Sequence, residues 1–182
     1  MKDVLDLCRC IAVPKRTVEQ GEAQHLTPDS VIWGLSSTDK LSAIREVIQR
    51  APAFARIPGL DLDELCASVI QREMLQTTGF GHGVAVAHGR SEQVGRCVVA
   101  LGIAKGGIEF SAADGNPVHM LFVVASNPER QIDYLRILAS LVSVVRDDRF
   151  RGQLLSCAGP QDLHQLLVPK VQQRLARYGV GA

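Results

Sequence analysis

Aromatic residues are scarce in this chain: they make up 4% of its 182 residues, with a single tryptophan. A platform that stacks nucleic-acid bases on aromatic rings is therefore not expected. Charge of one sign is also lacking, since 20 Lys+Arg stand against 19 Asp+Glu for a net charge of +1. That balance removes the electrostatic case for nucleic acid or an anionic membrane surface. Long hydrophobic runs are missing too. A run such as Val118–Ala125 falls far short of the ~20 apolar residues that span a bilayer, so no membrane insertion is expected. The N-terminus shows no basic region followed by an apolar core, the pattern of a secretory signal. The five cysteines are Cys8, Cys10, Cys66, Cys97 and Cys157, an odd number with no Cys-x-x-Cys. Reduced thiols in a cytoplasmic protein are the expectation. Cys8 and Cys10 alternate onto one face of a strand candidate at 3–11 and read as small buried residues rather than a redox pair.

What is present describes a globular chain. Hydrophobic residues are 46% of it, and the length suits one domain spanning 1–182. Residues 14–30 read as a loop and 31–35 as a short strand. Asp39 precedes Leu41, Ile44, Val47 and Ile48, the start signal and spacing of a helix reaching Arg50. Pro52, Pro58 and Gly59 break the chain. Leu65, Val69, Ile70 and Leu75 stripe a second helix over 62–76, with acidic residues in its first turn. Strands are expected at 84–87, 97–103, 108–110 and 118–125, with a turn at Asp114–Pro117. Helices follow from Pro128 to about Arg146, over 150–156 and 161–167, and from 168 as far as Arg177. Interleaved helices and strands predict an α/β fold: a single-domain three-layer sandwich, a mixed β-sheet flanked by helices on both faces. Trp33 is expected to fill the core.

The most informative stretch is TTGFGHGVAVAHGRSE, residues 77–92. Gly79-x-Gly81-x-Gly83 loosely resembles a dinucleotide fingerprint, but that motif follows a strand and opens a helix. Here a helix leads in and a strand leads out, so the reading fails. No Gly-Lys-Ser/Thr supports a Walker loop. No pair among His25, His82, His88, His119 and His164 has the i, i+4 spacing of helical zinc ligands. A metal held by His82, His88 and His119 stays a minor alternative. A neutral imidazole is a competent nucleophile near pH 7. A histidine at a strand end beside a glycine turn can be reached closely, and Arg72 at the end of the preceding helix suits a phosphate. On residues alone, a phosphate-accepting His88 stands only slightly above a partly exposed turn histidine.

Several blocks in order then match a known family. Arg72-Glu73, Thr77-Thr78-Gly79-x-Gly81-x-Gly83-x-Ala85-Val86-x-His88-Gly89, Gly107-Ile108-Glu109-Phe110-x-Ala112-x-Asp114-Gly115-x-Pro117-Val118, Tyr134-Leu135-x-Ile137-Leu138 and Phe150-Arg151-x-x-Leu154-Leu155 resemble the enzyme IIA domain of the bacterial phosphotransferase system. The class is fructose/mannitol, and the nearest branch in look is the nitrogen-regulatory one. The likeness is strong over 60–168, loose over 1–59, and leaves 169–182 as a tail. It implies phosphoryl transfer from a histidine phosphocarrier protein (HPr or its nitrogen-branch relative) onto His88. It implies no cofactor or metal. A IIB domain or a regulated protein would stand downstream, and a homodimer is left open. The resemblance casts His88 as phosphoryl acceptor and Arg72 as the arginine beside it. Thr77, Thr78, Gly79, Gly81, His82 and Gly83 would frame the phosphate or partner site. Two positions depart from the pattern. Ala87 stands where the family usually has proline, and Tyr134 stands where it commonly has a second histidine. Tyrosine keeps a hydroxyl donor but carries no positive charge near neutral pH. The absence of a membrane segment or fused transporter domain favours a regulatory role. A degenerate binding module that is never phosphorylated is the alternative.

Overall fold

The computed structural model describes residues 25–178. Its sheet has five strands: β1 (Val31–Trp33), β2 (Gly79–Gly81), β3 (Val84–Arg90), β4 (Val98–Ile108) and β5 (Val118–Ser126). Their order is β1-β4-β5-β3-β2. The pairs β1/β4 and β3/β5 are parallel, while β4/β5 and β2/β3 are antiparallel. The helices are α1 (Lys40–Arg50), α2 (Pro52–Ala55), α3 (Leu62–Leu75), α4 (Gln131–Val145), α5 (Asp148–Leu155) and α6 (Pro160–Arg177).

Strand side chains alternate between the two faces, and each face here has its own core. Val84 and Val86 of β3 and Met120, Phe122 and Val124 of β5 pack with Ile137 and Leu141 of α4 and Leu163 and Leu167 of α6. Ala85 and Ala87 of β3 and Leu121 and Val123 of β5 pack with Ile44, Val47 and Ile48 of α1 and Leu65 and Val69 of α3. Burial on both sides explains the continuous apolar runs of the central strands. The three layers and mixed sheet expected from the sequence are both present. Asp39 caps α1 by accepting from the Leu41 and Ser42 amides, and Asp61 caps α3 by accepting from those of Asp63 and Glu64. Such caps contribute about 1 kcal/mol each.

Other expectations need correction. The strand expected at 84–87 runs on to Arg90, because the ladder continues through His88↔Val124, Gly89↔Ala125 and Arg90↔Ser126. His88 therefore lies within a strand and not at its end. The glycine turn of 77–83 contains β2. The strands expected at 97–103 and 108–110 merge into β4, whose pairing with β5 shifts register between Ile103 and Ile108. The region broken by prolines contains α2, with Pro52 in its first turn. The two segments expected over 161–177 form one helix with Pro169 inside. An interior proline removes one backbone hydrogen bond, but Val168, Val171 and Leu175 on either side are buried in the core. Trp33 is half-buried at the edge strand β1, with the Lys105 ammonium 5.3 Å from its ring centroid. The strand candidate at 3–11 with Cys8 and Cys10, and the first part of the 14–30 loop, lie outside the described residues.

Candidate functional site

Gly89 decides where α3 sits. A Cβ there would lie 2.6 Å from Val69 Cγ2 and 3.0 Å from the Val69 amide nitrogen. Only a residue without a side chain lets α3 come this close to β3. The Ser68 hydroxyl also accepts from the Arg90 amide at 2.9 Å. The last turn of α3 thereby carries Arg72 to the site, where its guanidinium donates to the Gln76 carbonyl at 3.1 Å.

Glu73, the next residue, points inward and is 1% exposed. Its carboxylate accepts from the Thr78 amide at 3.0 Å and the Thr78 hydroxyl at 2.5 Å, with the Lys40 ammonium 3.7 Å away. This clamp ties the end of α3 to the hairpin of β2 and β3. The Thr77 hydroxyl donates to the Phe110 carbonyl and accepts from the Gly79 amide. At the hairpin tip Gly81, His82 and Gly83 all have positive φ, at 96°, 59° and 72°. The two glycines adopt that backbone without strain, and His82 is the strained member. The His82 amide donates to the Asp114 carboxylate at 2.8 Å. Hydrogen bonds from the Asn116 side chain and from the His82 and Asn116 amides hold the Asp114 carboxyl down at about 2.

His88 shares the face of Val84 and Val86 and therefore looks toward α4. Its Nδ1 is 3.4 Å from the Val86 carbonyl oxygen. A carbonyl only accepts, so Nδ1 carries the proton and Nε2 keeps its lone pair. Burial, then the positive charges of Arg72 and Arg90, push the imidazole down to about 4. His88 is therefore neutral at pH 7. Tyr134 of α4 lies against it, with ring centroids 4.9 Å apart and planes tilted by 39°. Burial, the largest effect, pushes the Tyr134 phenol up to about 12, so its hydroxyl stays a donor.

A cavity of about 310 Å³ opens beside these two rings. Arg72, Thr77, Thr78, His82, His88 and Tyr134 all line it. Gly79, Gly81 and Gly83 do not line it and instead build the hairpin. Thr78 commits both donors to Glu73, so it steadies the wall and is not free to hold a phosphate oxygen. The His82 ring is half-exposed, with Nδ1 3.8 Å from Asp148. His119 lies outside the cavity, its Nδ1 3.1 Å from the Ala104 carbonyl. Among the described residues no three His, Cys, Asp or Glu side chains gather as a metal site would.

Sequence reasoning missed Phe80, Leu138, Val142 and Arg146, which complete the lining with Gln76 and Val86. A signal was available: Tyr134, Leu138, Val142 and Arg146 recur every four residues and so share one helix face.

Comparison with known proteins agrees with this architecture. A nitrogen regulatory protein of Bradyrhizobium diazoefficiens is 25% identical over 142 residues, covering 78% of this chain and 91% of that protein. The fructose-specific EIIABC component of Bacillus subtilis is 25% identical over 130 residues, covering 71% of this chain but only 20% of that larger protein. The crystal structure of nitrogen regulatory protein IIA-Ntr from Neisseria meningitidis superposes with a TM-score of 0.72 at 22% identity, covering 78% of this chain and 95% of that one. The model of the family described as "Phosphoenolpyruvate-dependent sugar phosphotransferase system, EIIA 2" matches residues 24–169. The chain belongs to the EIIA type-2 family of that phosphotransferase system.

Proposed function

We propose that the protein is a phosphohistidine carrier that accepts a phosphoryl group from an HPr-like protein on His88, in a regulatory role. The observation that carries this reading is a neutral imidazole lining a cavity, with the positive charges of Arg72 and Arg90 acting on it. In the step, the Nε2 lone pair attacks the phosphorus of the carrier's phosphohistidine in line. A new N–P bond forms as the carrier's N–P bond breaks, and the carrier's ring, protonated on its other nitrogen, takes back the electron pair and leaves as neutral imidazole. Nδ1 keeps its proton throughout. Arg72 neutralises the equatorial oxygens, and the Tyr134 hydroxyl donates a hydrogen bond in place of a second histidine. Similarity to a nitrogen regulatory protein along nine-tenths of its length supports the regulatory role.

The test mixes the protein with enzyme I, carrier and labelled phosphoenolpyruvate. Acid-labile label should appear on wild type and vanish in His88→Ala. A wild type without label, when a known IIA protein is labelled in parallel, would favour a binding module that has lost phosphotransfer. Tyr134→His would then show whether the second histidine is what is missing.

A further inference from the structure

The cavity is larger and more apolar than a phosphoryl group requires. Phe80, Val86, Leu138 and Val142 supply its apolar lining. Arg72 and Arg146 both line it, Arg72 close enough for its charge to act on His88, and no Asp or Glu among the described residues lines it. Neither arginine has a carboxylate partner among the described residues. Its volume lies at the lower end of the ~300–1,000 Å³ range of small-molecule sites, and few convergent polar groups on an apolar wall are what such sites share. We propose that this cavity binds a small amphipathic organic anion. Its carboxylate or phosphate pairs with Arg72 beside His88, and its apolar body lies against Phe80, Leu138 and Val142.

An anion so placed covers Nε2 of His88 and competes with an incoming phosphoryl group. Binding depends only on the cavity, whereas competition rests on the phosphocarrier reading. Ligand level would then set how much of the protein is phosphorylated.

The test uses phenyl phosphate, phenylpropionate and inorganic phosphate as probes, with binding followed by NMR on the unphosphorylated protein. Phenyl phosphate and phenylpropionate should each give saturable shifts at the Phe80 ring, the Leu138 and Val142 methyls and the His88 ring. Around ten non-hydrogen atoms sustain affinities of about millimolar, and inorganic phosphate should bind roughly tenfold more weakly. Val142→Phe, which fills the apolar wall, and Arg72→Gln, which removes the paired cation, should each weaken the two organic probes at least about tenfold. The proposal is overturned by three outcomes: no saturable shift, equal binding of inorganic and phenyl phosphate, or variants that bind like wild type while remaining folded. Because this arm needs no carrier, it stands or fails apart from phosphotransfer. In a labelling assay, saturating phenylpropionate should slow phosphorylation of wild type several-fold. An unchanged rate despite measured binding overturns the competitive half.

Discussion

At the scale of single residues, His88 combines two demands that pull in opposite directions. As the proposed phosphoryl acceptor it must be reachable by a partner's phosphohistidine, yet sheltered enough to stay neutral. Burial and two nearby arginines achieve the second demand, lowering its pKa from 6.5 to about 4. An NMR titration should find the His88 midpoint near 4, and Arg72→Gln should move it upward by removing a repelling charge. A wild-type midpoint near 6.5 would contradict the geometry. The unfolded imidazole takes a proton near pH 6.5, which the folded one refuses until about 4. The unfolded chain thus binds more protons in that window. The contribution to stability is whole above pH 6.5 and is lost as pH falls toward 4, by on the order of 3 kcal/mol. Denaturant melts of wild type and His88→Asn should show this slope only in wild type. Tyr134→Phe keeps the ring against His88 and removes only the hydroxyl. It should slow phosphorylation about tenfold with little change in Tm, and an unaltered rate would remove Tyr134 from the machinery.

At the scale of elements, the site is a junction of α3, the β2–β3 hairpin and α4. Gly89 sets the first contact and Glu73 the second. Gly89→Ala forces α3 off the sheet and should destabilise the fold by about 1–3 kcal/mol, read as a fall in the denaturant midpoint. A Gly89→Ala protein as stable as wild type would mean that α3 does not need this approach. Local signals in the sequence were legible: Asp39 and Asp61 cap the helices that their positions announce, because capping is decided within four residues. Signals that depend on tertiary contact were not. Nothing local distinguishes Gly89 from any other strand glycine, since the reason lies in Val69 of another element. The Glu73 clamp was invisible for the same reason: Arg72-Glu73 could be matched to a family, but not to the Thr78 hydroxyl. The expected division near 168 also failed, at a point where the chain carries Pro169. A local helix-breaking signal was overridden by buried neighbours within one continuous helix.

At the scale of the whole molecule, alternation along the strands separates two cores, and His88 belongs to the face covered by α4 and α6. The fold class and the phosphotransferase-system family were both legible because apolar runs and several ordered motif blocks span most of the chain. The cavity was legible only in part. Its strand and hairpin side lay in the glycine-rich stretch, while its helical side needed the four-residue repeat from Tyr134 to Arg146. The described helices include none long and apolar enough to cross a membrane. Cys97 reports on the integrity of the α4 face. It is 2% exposed, and burial, its main influence, pushes the thiol up to about 11. Alkylation mapped by peptide mass spectrometry should leave Cys97 unlabelled in the native protein and label it on unfolding. Rapid native labelling would show that this core opens readily.

The central claim is tested most directly by locating the phosphate at atomic level. After reaction with enzyme I, an HPr-like carrier and phosphoenolpyruvate, phosphorus and nitrogen NMR should show one phosphoramidate, coupled to Nε2 of His88. A His88→Ala protein of native circular dichroism should show none. A phosphoramidate on Nδ1, on another histidine, or still present in His88→Ala would contradict the account.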